Sequence, residues 1–138
     1  MIVIDASVAI SWVLGETLSA ETTEAQEYVS SNGAYVPGNF HSEVVHALLR
    51  AERRGRIAEA DVASSLSDIL ELGLTVELPD PHVVAAVARQ HRLTAYDAAY
   101  LALALQSNLM LCSLDTTLRK AAKSVKLLWT PQKARRRR

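Results

Sequence analysis

A chain of 138 residues, 49% apolar and 22% charged, has the size and composition of one soluble globular domain with its own core. The lone cysteine, Cys112, excludes an intrachain disulfide and a cysteine-based zinc cluster, and no apolar run is long enough to span a bilayer. Formal net charge is zero, but Arg135 to Arg138 supply four of the 15 basic residues, so the remaining body carries 11 against 15 acidic ones, a net of −4.

The chain opens on Met1-Ile2-Val3-Ile4-Asp5-Ala6-Ser7, an apolar run that reads as a short buried strand and ends in a carboxylate. No basic segment precedes an apolar one, as a secretory signal requires, so the expected compartment is the cytoplasm. A helix is predicted from Ala6 to Leu14 and another over Glu21–Ser30. Ala34-Tyr35-Val36 reads as a second strand, closed by Pro37-Gly38. Phe40, Val44, Val45, Leu48 and Leu49 recur at helical spacing and predict a helix from Phe40 to Arg54.

After the basic turn Arg53-Arg54-Gly55-Arg56 comes a helix from Ala58 to Leu72, then a strand over Leu74–Leu78 by alternation, ended by Pro79 and Pro81. Helices follow at His82–His91 and Ala95–Gln106, the latter apolar nearly all round and therefore buried. Leu109–Cys112 is a buried strand with Cys112 as a small hydrophobe, Thr116–Lys123 a helix, and Val125–Leu128 a last strand. Trp12 and Trp129 are read as core or dimer contacts. Strands separated by helices of about ten residues predict a three-layer α/β/α sandwich around a mainly parallel sheet. The domain is placed at residues 1–130. A basic, disordered tail is expected at 131–138, either an arm that touches RNA or an acidic partner, or a solubilising end.

Four acids stand where chemistry is found in such folds. Asp5 follows a strand and precedes a helix, and a helix N-cap explains it locally. Glu43 lies near the start of its helix, on a stripe with His46, Ala47 and Arg50, where a solvated face is the plain alternative. Asp97 opens the apolar helix, with Thr94 three residues earlier in a pattern resembling a capping box. Asp115 follows the strand ending at Cys112 and can also cap. The set has a logic that the single residues lack. Residues just after parallel strands converge on one sheet edge, so Asp5 and Asp115 can meet, and Asp97 can point to the same place.

Carboxylates about 5 Å apart repel by roughly 3 kcal/mol per pair at an effective dielectric near 20, so such a cluster takes up protons or a cation. Oxygen ligands without a His/Cys cluster suit Mg²⁺, with Mn²⁺ as the alternative. A metal of that kind lowers the pKa of a bound water and serves phosphoester hydrolysis. A phosphatase of the Asp-x-Asp type would need a second acid where Ser7 stands. A phosphoacceptor receiver needs an acidic pair ahead of its acceptor strand, which a strand starting at Ile2 does not allow.

From Ile2 to Leu128 the chain resembles PIN-domain ribonucleases of the VapC toxin class, from prokaryotic toxin–antitoxin pairs. Ile2-Val3-Ile4-Asp5-Ala6-Ser7 resembles the opening strand with its Asp-x-Ser, and Pro37 through Leu48 the second motif with its helix acid, Glu43. Leu93 through Ala104 is close to the third motif, and Ser113-Leu114-Asp115 resembles the fourth, where Thr-x-Asp is more usual. His46 departs from the pattern, standing where many members carry Asn.

The resemblance implies that Asp5, Asp97 and Asp115 hold the metal directly and Glu43 directly or through a water. Ser7 would orient Asp5 or a metal-bound water. It further implies an endoribonuclease toxin cleaving tRNA or rRNA, a homodimer, and a cognate small antitoxin protein. Arg50, Arg53, Arg54 and Arg56 are the leading candidates for RNA contacts, with Arg89, Arg92, Arg119 and Lys120 behind them. A catalytically silent PIN-type module that binds RNA or antitoxin is the alternative.

Overall fold

A computed structural model describes residues 1–16 and 19–132. Its sheet has four parallel strands in the order β3-β2-β1-β4: β1 is Ile2–Ile4, β2 Ala34–Val36, β3 Thr75–Val76 and β4 Leu111–Cys112. The helices are α1 (Ala6–Leu14), α2 (Ala20–Asn32), α3 (Phe40–Arg53), α4 (Glu59–Leu70), α5 (Pro81–His91), α6 (Ala95–Ser107) and α7 (Thr116–Ser124).

The layers follow from the handedness of parallel crossovers. From β1 to β2 to β3 the chain steps in one direction, so right-handed connections put α1 to α4 on one face. It then returns to the far side of β1, which puts α5 and α6 on the other. The packing agrees: α1 touches α2, α3 and α4, α3 touches α4, and α6 packs on α5, on α7 and on β1. The expected α/β/α sandwich is the fold found, and its sheet is wholly parallel.

The core is built from the predicted residues. Ile2, Val3 and Ile4 are buried, as are Phe40, Val44 and Leu48 of α3 and the continuous run Ala98–Ala104 of α6. Cys112 is buried, and burial pushes its thiol well above the ordinary range. Trp129 is buried with its ring 6.3 Å from that of Tyr28, while Trp12 donates its indole N–H to the Thr22 carbonyl at 2.9 Å. Among the described residues no helix is long and apolar enough to cross a membrane.

Three strands differ from expectation: of Leu109–Cys112 only Leu111 and Cys112 pair in the sheet, with Val3 and Ile4 of β1. The alternation over Leu74–Leu78 yields only Thr75 and Val76 in the sheet, because β2 offers just two partners, Tyr35 and Val36, before Pro37 ends it. Val125–Leu128 is not a strand. Val125 and Lys126 form a turn with Lys126 at φ 61°, and only Leu128 bridges Leu111. Of the basic tail, residues 133–138 lie outside the described residues. Gln132, in its first part, donates its backbone N–H to Glu24 at 2.6 Å.

Candidate active site

The order β3-β2-β1-β4 reverses direction between β1 and β4, and a crevice opens at such a switch point beyond the strands' carboxyl ends. β1 runs directly into Asp5, and β4 into Ser113, Leu114 and Asp115. Backbone pairing from Asp5 N–H to the Cys112 carbonyl, 3.2 Å, fixes the two strand ends side by side.

Asp5 is 5% exposed and held at both oxygens. Ser7 Oγ donates to Oδ1 at 2.5 Å and Ser113 Oγ to Oδ2 at 2.5 Å, while Val8 N–H reaches Oδ1 at 3.3 Å, the capping bond of α1. The same two hydroxyls receive backbone N–H groups from the β4 side. Leu114 N–H donates to Ser7 Oγ at 3.1 Å and Asp115 N–H to Ser113 Oγ at 3.0 Å. Each serine is thus a strut between the two strand ends. Burial raises the Asp5 pKa to about 6 and the Asp115 charge adds to it, while the bonds from Ser113, Ser7 and Val8 work against the rise.

The other three acids come from three further elements. Asp115 caps α7 through Leu118 N–H, 2.8 Å to Oδ2. Asp97 sits one turn into α6, where Thr94 Oγ1 accepts its N–H at 3.1 Å. Burial raises the Asp97 pKa, then the Asp115 charge; the Thr94 hydroxyl opposes them. Glu43 is half-buried near the start of α3, which has no side-chain cap. Instead the preceding Asn39 donates its amide N–H to the Tyr96 carbonyl at 3.3 Å, tying the head of α3 to the head of α6. Glu43 is not part of a solvated face shared with Arg50; its carboxylate accepts a hydrogen bond from the Tyr100 hydroxyl.

These residues enclose a cleft of about 220 Å³ lined by Asp5, Ala6, Ser7, Ile10, Glu43, Asp97, Tyr100 and Asp115. All four predicted acids and Ser7 are on its wall, and among the described residues no Lys, Arg or His is. Tyr100 and Ser113 make contacts whose partners the local sequence does not announce. Tyr100 stands three residues after Asp97 in an apolar run and is itself buried, its phenol pushed well above the ordinary range by burial, then by Glu43 and Asp5. A phenol inside the apolar run Ala98–Leu105 is the sign of it in the sequence.

The basic residues sort differently. Arg50, Arg53 and Arg54 are exposed, as is His46. Arg56 pairs with Glu16. Arg119 bonds inward, to Glu21 Oε1 at 2.8 Å and to the Ser113 carbonyl at 2.7 Å, so it braces the loop that carries Ser113 and Asp115.

The sequence profile of the PIN domain matches residues 2–124. The chain belongs to the PIN-domain family. Among curated relatives, VapC ribonuclease Mb0985 of Mycobacterium bovis is 32% identical over 122 residues, covering 86% of this chain and 88% of that one. Ribonuclease VapC3 of Mycobacterium tuberculosis is 28% identical over 87% of this chain and 86% of its own. Among solved structures, the crystal structure of PAE2754 from Pyrobaculum aerophilum superposes with a TM-score of 0.69 at 24% identity, covering 86% of this chain and 77% of that one, a likeness of fold. The sheet's switch point is the edge of the molecule where the four acids gather.

Proposed function

We propose that this PIN-domain protein is a Mg²⁺-dependent endoribonuclease toxin of a toxin–antitoxin pair, hydrolysing RNA phosphodiesters at the carboxylate cleft. The observation that carries the reading is that Asp5, Glu43, Asp97 and Asp115 line one cleft that, among the described residues, no basic side chain enters. The VapC ribonucleases, similar over most of their length, support the nuclease class and the toxin role.

The donor set fits a hard divalent cation. It is all oxygen, and among the described residues no basic side chain on the cleft wall offsets its charge. Among the described residues no three His, Cys, Asp or Glu side chains form a ready-made cage. A cation that keeps several of its waters suits such a set, and about 220 Å³ leaves room for them. When bound, Mg²⁺ or Mn²⁺ would supply Lewis acidity and a water of lowered pKa. Asp5, Asp97 and Asp115 would hold the ion, with Glu43 acting directly or through a water. Ser7 and Ser113 keep Asp5 oriented, and Ile10 and Ala6 form the apolar part of the wall. Arg50 falls seven residues, two helical turns, after Glu43 on α3, and Arg53 lies one turn further and off that line; both are exposed and would meet RNA phosphates leading to the cleft. The surplus of acidic residues in the body suits a small antitoxin with a basic segment, and the protein is expected to act as a cytoplasmic homodimer.

The test is cleavage of total tRNA and rRNA by purified protein, with Mg²⁺ or with excess chelator. Cleavage that needs the metal supports the reading. Metal-independent cleavage contradicts its mechanism, and no cleavage of either RNA favours a catalytically silent module that binds RNA or antitoxin.

A further inference from the structure

We propose that Tyr100 is a positioning residue of the carboxylate site: its hydroxyl holds the Glu43 carboxylate in the cleft and so sets how tightly the site grips a divalent cation. The inference rests on the reading that the four carboxylates bind such an ion.

The four acids are held very unequally. Asp5 is fixed at both oxygens by Ser7, Ser113 and Val8 N–H, and Asp115 by Leu118 N–H. These are short side chains, each capping the helix that follows it through a backbone N–H. Glu43 has a longer side chain and no bond of that kind. Among the described residues the hydroxyl of Tyr100, 57 positions away on α6, is the one donor to its carboxylate. Tyr100 can do this because it is 1% exposed, held in the core run Ala98–Ala104, and lines the cleft beside Glu43. Its oxygen accepts the Ala6 backbone N–H, which leaves its one proton for the Glu43 carboxylate.

Residues that orient a metal ligand typically change metal affinity or activity about 10–100-fold when removed. Tyr100→Phe deletes one oxygen and keeps the ring. The experiment titrates Mg²⁺ and Mn²⁺ into the parental protein, Tyr100→Phe, Glu43→Gln and the double variant, by calorimetry, and measures RNA cleavage in parallel. The expected result is at least tenfold weaker ion binding by Tyr100→Phe, a lower kcat with KM for RNA within twofold, and no further loss when Tyr100→Phe is added to Glu43→Gln.

Binding and kcat within twofold of parental, or losses that multiply in the double variant, would overturn the role of Tyr100 while leaving the metal site standing. Parental protein that binds neither ion would overturn the site and the inference with it. Should Tyr100→Phe fold poorly, the parental protein labelled at tyrosine Cζ with ¹³C decides. The Tyr100 resonance is expected to move on adding Mg²⁺ and to stay still in Glu43→Gln; an unmoved parental signal contradicts the inference.

Discussion

The hydroxyl of Ser113 donates to Asp5 Oδ2 at 2.5 Å, joining two residues 108 positions apart at the ends of neighbouring parallel strands. Through it the buried carboxylate is held from the β4 side, as Ser7 holds it from the α1 side. Ser113→Ala should therefore raise the Asp5 pKa beyond about 6 and weaken cation binding, since a donor to the ionised form is lost. Ser113→Thr keeps the donor and should restore both. Carboxyl-carbon NMR titration of the three proteins reads the order directly.

Asp5 makes stability fall with rising pH, opposite to a salt-bridged acid. Its folded pKa is about 6 against 3.8 for the free side chain, so the folded state binds the proton more tightly. The contribution is fully present below about pH 3.8 and is lost as pH rises through 6. A shift of that size corresponds to roughly 3 kcal/mol. Urea titrations of the parental protein and Asp5→Asn, without divalent ions, should diverge across this window, with Asp5→Asn gaining by pH 7. Added Mg²⁺ should stabilise the parental protein more at pH 7.5 than at pH 5, because ion and proton compete for the same carboxylate.

Arg119 was a candidate for RNA contact on sequence, yet its guanidinium faces inward to Glu21 and the Ser113 carbonyl. Arg119→Met keeps the stem and removes both bonds. With the pair about a quarter exposed, the expected cost is about 1 kcal/mol by urea unfolding, with slower cleavage from a loosened Ser113–Asp115 loop. KM for RNA should stay unchanged. A raised KM at unchanged stability would return Arg119 to the RNA surface.

Arg50 and Arg53 should behave in the opposite way. Each is exposed, so Arg50→Ala and Arg53→Ala should leave stability within about 0.5 kcal/mol. Each should weaken RNA binding and reduce the dependence of log K on log salt by about one unit per lost phosphate contact. Filter binding at several salt concentrations measures both.

Much of this site is legible in the chain because its parts are local. Ile2-Val3-Ile4 followed by Asp5 reads as strand and cap, and Phe40, Val44 and Leu48 fix the buried face of α3, leaving Glu43 beside it. The parallel sheet then brings Asp5 and Asp115 to one edge. What is not legible depends on distant partners. Tyr100 looks like one more apolar position of α6 until Glu43 of α3 is placed opposite it. Ser113 looks like a replaced threonine until β1 lies alongside β4. Leu74–Leu78 alternates well but finds only two residues of β2 to pair with, and Val125–Leu128 has strand composition although the chain turns at Lys126.

Asp97 gives the most direct test of the central claim, because Thr94 rather than its own carboxylate caps α6, and its charge is disfavoured by burial and by Asp115. The measurement is the Mg²⁺-dependent cleavage rate of tRNA and rRNA by Asp97→Asn against the parental protein, with thermal unfolding followed on both. The account predicts a variant at least as stable as the parent whose cleavage falls by at least a hundredfold. Undiminished cleavage by a folded Asp97→Asn would contradict it.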